Sequence, residues 1–327
     1  MEELFQSVEQ GGQQGLSHMG IQLQEGKVRS VIEVVGGAVN VHELVPSLIA
    51  LGARVESTAS GLIKALLPLE QLDKIADLPK VRYVRRPYAP FVAQGRMETR
   101  SAGADPIVSE AISAVGGTLF HSANLLGYGI RVAVIDVGFA SLSYAEAAGE
   151  LPAGIIAEIK DYTDGGGQSA TAHGTAIAEI VHDMAPRAML YLMKIGDEVD
   201  LANAVADCIA QDVDIVVHSA AWFNTNFGDG TGVVAKTVDR AIEAGILWVN
   251  AAGNMAQQHW LGPCRDTNGN GWVEFMDGSE ALQVKVAEAN DIQVFLTWDD
   301  WPAATQDLDL FLLDSAGNVL SVSQNRQ

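Results

Sequence analysis

The chain opens its first regular pattern at Val28–Val35, where apolar and polar residues alternate and β-branched side chains dominate. That is the signature of a half-buried strand. From Val41 to Leu51 the apolar residues fall at helical spacing through Leu44, Leu48 and Leu51, and Gly52 ends the run. Two short strands are predicted at Arg54–Ser57 and Leu62–Leu67, then a helix at Leu69–Leu78 and a strand at Val81–Val84. The order βαββαβ is that of a ferredoxin-like split unit. Such a fold carries many functions and identifies none.

Residues 88–106 are punctuated by Pro90, Gly95, Gly103 and Pro106 and read as a linker. From 107 the texture changes. Arg131–Ile135, Ala188–Met193, Ile215–His218 and Ile246–Asn250 are short apolar runs of the fully buried type. They alternate with helical patterns at Ala172–His182, Leu201–Gln211 and Val233–Ala244. Alternation of this kind predicts a doubly wound, mostly parallel sheet. After 264 the pattern shifts to short strands at Val284–Val286, Ile292–Thr297, Leu308–Leu313 and Val319–Val322, separated by turn residues. A β-sandwich module is expected there. The predicted layout is a polar tail at 1–27, a ferredoxin-like domain at 28–87, the linker at 88–106, an α/β domain at 107–264 and the β module at 265–327.

Length and composition fit this picture. The 327 residues suffice for two or three domains, and 48% are apolar, so a sizeable core can be buried. The net charge of −21 argues against nucleic acid or an anionic membrane surface as partner, because both need clustered Lys and Arg. Local positive charge is confined to Arg82, Arg85 and Arg86. No apolar run reaches the ~18 residues of a membrane span. The start, Met1-Glu2-Glu3-Leu4, lacks the basic-then-apolar order of a secretory signal. The two cysteines, Cys208 and Cys264, leave the redox compartment open.

Three segments carry candidate chemistry. In Val132-Ala133-Val134-Ile135-Asp136 an acid ends a buried strand, and strand carboxyl ends line the functional crevice of an open α/β sheet. In Ala172-His173-Gly174-Thr175-Ala176 a histidine opens a helix of small residues. In Val249-Asn250-Ala251-Ala252-Gly253-Asn254 a strand runs into a turn ending in a carboxamide donor. Each has an ordinary structural explanation alone: a cap, a helix-start histidine and a turn Asn.

Together, in this order and on this framework, the segments resemble the Asp, His and oxyanion-Asn motifs of the subtilisin-like (S8) serine peptidases. The resemblance spans residues 107–264. It implies that His173 is the general base, that Asp136 orients and stabilises the His173 ring, and that Asn254 donates to the oxyanion of a tetrahedral intermediate. Ser219, Ala220 and Ala221 occupy the place of the substrate-lining strand, with Ala221 where the family usually has Gly. The resemblance also implies a polypeptide substrate, a secreted or cell-envelope location, and a propeptide-like role for the ferredoxin-like unit, which would assist folding and then inhibit.

One motif is absent. No Gly-Thr-Ser-x-Ala-x-Pro segment follows Asn254; the later serines are Ser279, Ser315, Ser321 and Ser323, none in such a setting. Two expectations follow: the nucleophile lies beyond Gln327, or the protein binds peptides without cleaving them. A nucleotide-binding domain is disfavoured, since neither G-x-G-x-x-G nor a Walker-A segment occurs. Finally, Asp266-Thr267-Asn268-Gly269-Asn270-Gly271 resembles the start of an EF-hand-type Ca²⁺ loop, but the twelfth position holds Asp277 rather than Glu. A tight Asx/Gly turn accounts for the same pattern.

Overall fold

The computed structural model describes residues 23–92, 108–163, 171–225, 229–255, 258–275, 278–286, 292–300 and 305–324. Most of the expected tail and linker, and the Asp277 position of the Ca²⁺-like loop, lie outside these residues.

The N-terminal elements are β1 (Leu23–Gln24), β2 (Lys27–Val34), α1 (Ala38–Ala50), β3 (Arg54–Ala59), β4 (Leu62–Pro68), α2 (Leu72–Ala76) and β5 (Val81–Arg85). The sheet is antiparallel, with β2 between β4 and β5 and β3 outside β4. The expected helix at Leu69–Leu78 begins as a 3₁₀ turn at Leu69–Gln71 before α2. Strand periodicity of two sends Ile63, Ala65 and Leu67 of β4 into a core with Leu44, Leu48, Leu72 and Ile75 of the two helices. The opposite face, with Leu62, Lys64 and Leu66, is also buried, so every residue of β4 is inaccessible. A sheet covered on one face by its own helices therefore has its second face covered by something else.

That cover is the α/β domain. Its elements are α3 (Glu110–Ala114), α4 (Gly117–Ser122), β6 (Arg131–Asp136), α5 (Leu142–Ala148), β7 (Ile156–Asp161), α6 (His173–Met184), β8 (Met189–Lys194), α7 (Glu198–Ala210), β9 (Ile215–His218), α8 (Val233–Glu243) and β10 (Leu247–Asn250). The five strands run in the order β10-β9-β6-β8-β7, all parallel. Helices cover both faces. Ala133 and Ile135 of β6 point to the side of α7 and α8, while Val132 and Val134 point to the side of α5 and α6. Val199 of α7 packs with Val31 and Leu62 of the N-terminal sheet, which joins the two domains.

Beyond Asn250 the chain is largely irregular among the described residues. The only strands there are β11 (Leu310–Leu313) and β12 (Val319–Ser323), an antiparallel pair. The segments Val284–Val286 and Ile292–Thr297, expected as strands, do not pair. Their apolar residues Val284 and Val294 stay exposed, and Phe295 is half-exposed. Cys208 is buried and Cys264 exposed, and both are free thiols.

Candidate active site

The period of two in β6 fixes where Asp136 points. It shares the face of Val132 and Val134, the face that α6 covers, and His173 is the first residue of α6. The two side chains meet there, with His173 Nδ1 2.8 Å from Asp136 Oδ2. Asp136 is fully buried, while the His173 side chain keeps a fifth of its surface accessible. The other carboxylate oxygen, Oδ1, accepts the Val137 N–H at 2.8 Å.

Such an approach needs a residue without a side chain next to His173. A Cβ on Gly174 would lie 2.7 Å from Gly138 O, 2.7 Å from Phe139 Cε1 and 2.9 Å from Asp136 Cβ. The absent Cβ lets the Gly174 N–H reach Gly138 O at 2.9 Å. Thr175 Oγ1 then donates to Ala140 O at 2.9 Å. The His-Gly-Thr sequence is thus a set of three contacts that bolt the helix start to the loop after Asp136.

The electrostatics follow from burial. Removal from water pushes the Asp136 carboxyl above its usual range; the nearby His173 ring and the Val137 and Gly138 N–H groups act against that push. A carboxylate only accepts, so Nδ1 of His173 carries the proton and Nε2 presents its lone pair. This is the tautomer a general base needs.

Ser219, Ala220 and Ala221 continue directly from β9, which lies between β6 and β10. Ala220 is buried, and Ala221 forms an antiparallel bridge to Phe91. Asn254 follows β10 and is exposed, at the same carboxyl end of the sheet as Asp136 and Ser219. The structure thus bonds Asp136 to His173 directly, and brings Asn254 and Ala221 to the same sheet end by topology.

A further residue of this region is His218, at the end of β9 and almost wholly buried. Its Nδ1 lies 2.8 Å from Ile135 O, and the Trp222 indole N–H donates to its Nε2 at 3.0 Å. A carbonyl only accepts, so here too the proton sits on Nδ1. Burial holds the ring neutral, with its pKa pushed down to about 4. The signal in the sequence was a lone His in an apolar strand immediately before Ser219.

The Asp266 loop is a closed turn. Asp266 Oδ1 accepts from Gly269 and Asn270 N–H, and Oδ2 accepts from Gly271 N–H. Among the described residues no group of three His, Cys, Asp or Glu side chains is arranged to hold a metal ion. Nor is any helix there long and apolar enough to cross a membrane.

Comparison with known proteins finds relatives among bacterial proteases. The thermostable alkaline protease of Halalkalibacterium halodurans is 28% identical over 211 residues, covering 62% of this chain and 54% of the relative. Subtilisin E of Bacillus subtilis is 31% identical over 168 residues, 45% of this chain and 40% of the relative. Among solved structures, an epidermin leader peptide processing serine protease from Staphylococcus aureus superposes with a TM-score of 0.50 at 11% identity. That match covers 72% of this chain and 66% of the other, and is a likeness of fold. No protein-family model matches the chain. The chain is a subtilase-like protein, similar to subtilisins and to an alkaline protease. It spans about half the length of the curated relatives it matches.

Proposed function

We propose that the chain forms the acid–base and oxyanion side of a subtilisin-type serine endopeptidase centre. The observation that carries this reading is the 2.8 Å contact between His173 Nδ1 and a fully buried Asp136. In the proposed cycle a serine hydroxyl gives its proton to His173 Nε2 as its oxygen attacks a peptide carbonyl. Asn254 Nδ2–H donates to the oxyanion that forms, and the equivalent Asn donor of subtilisin is known to supply roughly 3–4 kcal/mol. His173 then protonates the leaving amine, and water repeats the sequence on the acyl-enzyme. Asp136 stabilises the imidazolium throughout.

The nucleophile in this proposal belongs to polypeptide outside these 327 residues. The support is that the serines after Asn254 lack the family's setting and that the matches cover only 54% of the alkaline protease and 40% of subtilisin E. The N-terminal sheet is read as a ferredoxin-like, propeptide-like unit, because its exit segment reaches the substrate-lining strand at Ala221. A second reading, a peptide-binding protein without catalysis, is favoured by that same bridge, which needs no serine. A fluorophosphonate probe separates the two. Residues 1–327 should remain unlabelled, and the longer gene product should label at one serine in a His173-dependent way. Labelling of residues 1–327 would sink the placement of the nucleophile. An unlabelled longer product would favour the non-catalytic reading.

A further inference from the structure

Phe91 and Ala221 exchange both backbone hydrogen bonds, each at 2.8 Å. In such a hydrogen-bonded antiparallel pair the two side chains lie on the same face. Ala221 contributes only a methyl group, so the Phe91 ring has room to reach past it. It meets Phe223 edge-on, with centroids 5.6 Å apart and planes at 66°. The Phe295 ring stacks on Phe223, at 4.6 Å and 13°. Phe295 is anchored nearby by Thr297 Oγ1, which donates to Asn224 Oδ1 at 3.0 Å.

These three rings come from three distant stretches: the exit of the N-terminal sheet, the loop after β9, and the C-terminal module. Main-chain pairing with Ala221 accepts any extended polypeptide, whereas the rings add a preference by side chain. An edge-to-face contact followed by an offset stack is the arrangement aromatic quadrupoles favour, and an aliphatic side chain does not reproduce it. Phe91 is 36% exposed and Phe295 46%, so the rings form an open wall that a flat ring can join from solvent.

We propose that Ala221, Phe223 and Phe295 form a subsite that selects an aromatic side chain at the polypeptide residue paired with Ala221, and that Phe91 is its intramolecular occupant. The inference rests on reading the Ala221 edge as the polypeptide-binding cleft. It gives the C-terminal module a place in that cleft, through Phe295.

Amide hydrogen exchange at Ala221 in the full chain tests it, with the β6 amides as a control for global opening. In the wild type, Ala221 exchanges slowly. Phe91→Ala and Phe295→Ala each speed that exchange by about tenfold, the size expected when an aromatic contact is lost. Phe295→Tyr keeps the ring and keeps the protection. Excess blocked peptide Tyr-Ala-Pro-Phe-Val restores protection to Phe91→Ala, and Tyr-Ala-Pro-Ala-Val does not. If wild-type Ala221 exchanges freely, the cleft reading fails and the subsite with it. If it is protected but indifferent to Phe295→Ala, or if the two peptides act alike or neither acts, the subsite is overturned while the cleft reading stands.

Discussion

The Lys64 ammonium of the N-terminal sheet lies 3.0 Å from the Asp197 carboxylate of the α/β domain, with both side chains buried. Lys64 also bonds Asp200, one turn into α7. Asp197 caps that helix, accepting the N–H groups of Val199 and Asp200 at 3.0 Å each. Beside this pair, Arg85 meets the fully buried Glu198, whose second oxygen accepts the Tyr88 N–H at 2.8 Å. The domain junction thus holds three carboxyl groups and two cations with little access to water. Removing one cation leaves charge buried without compensation, which typically costs ~3–5 kcal/mol. Lys64→Met is therefore expected to destabilise the chain by about that much in urea denaturation, and Lys64→Met with Asp200→Asn should recover part of the loss. Independent, additive effects of the two substitutions would contradict the pairing.

The same cluster sets a pH dependence. Burial and the neighbouring Asp197 push the Asp200 carboxyl up to about 7, against the pull of Lys64. Its value in the unfolded chain is about 3.9. The native state then holds a proton that the unfolded state has released, between about pH 4 and 7. The contribution is fully present below the unfolded value and is lost as pH rises through the folded one. Asp200→Asn removes it. The wild type is expected to lose stability relative to Asp200→Asn across this window, with a slope approaching ~1.4 kcal/mol per pH unit. Above about pH 7.5 the two curves should run parallel. Urea midpoints in a buffer series measure this; parallel curves throughout would refute it.

Gly174→Ala tests the packing of the His173 helix. The new methyl would sit 2.7 Å from Gly138 O, which is backbone and has little freedom to yield. Overpacking of this sort costs ~1–3 kcal/mol. The helix start must also move away from Asp136, so the 2.8 Å bond to His173 should lengthen or break. The expected result is a lowered urea midpoint together with a shifted His173 Nδ1–H resonance. A variant that kept both would show that the site tolerates a Cβ there.

What could be read from the residues follows from period and length. The core strands and the long helices α1, α6, α7 and α8 show in the sequence because each presents several turns or a full buried run. The short helices α3, α4 and α5 do not: five to seven residues span under two turns and display no repeat. Strand β7 is an edge strand, half exposed along its length, and Glu158 and Lys160 hide it among loop residues. Asp136, His173 and Gly174 were legible as motifs. Lys64, Asp197, Glu198 and Asp200 were not, because their meaning lies in a contact between residues 136 positions apart. A buried Lys in an otherwise apolar strand was the one available hint.

Asp136→Asn should separate stability from function. The substitution is isosteric and removes a carboxylate that burial disfavours. The relief from burying a charge is offset by the loss of a charge-assisted acceptor for His173, so the change in stability is expected to be small beside the change in turnover. The chemistry should suffer far more. An Asn amide facing His173 Nδ1 donates where the carboxylate accepted, so the ring proton moves to Nε2 and the acceptor that would take a serine proton is gone. In the longer product turnover is expected to fall on the order of 10⁴-fold, the loss that accompanies a wrong tautomer in such triads. In residues 1–327 the same change is visible without catalysis, as a ¹⁵N spectrum of His173 in which the protonated nitrogen has switched from Nδ1 to Nε2. A variant that kept the Nδ1 proton would separate Asp136 from the role of orienting His173.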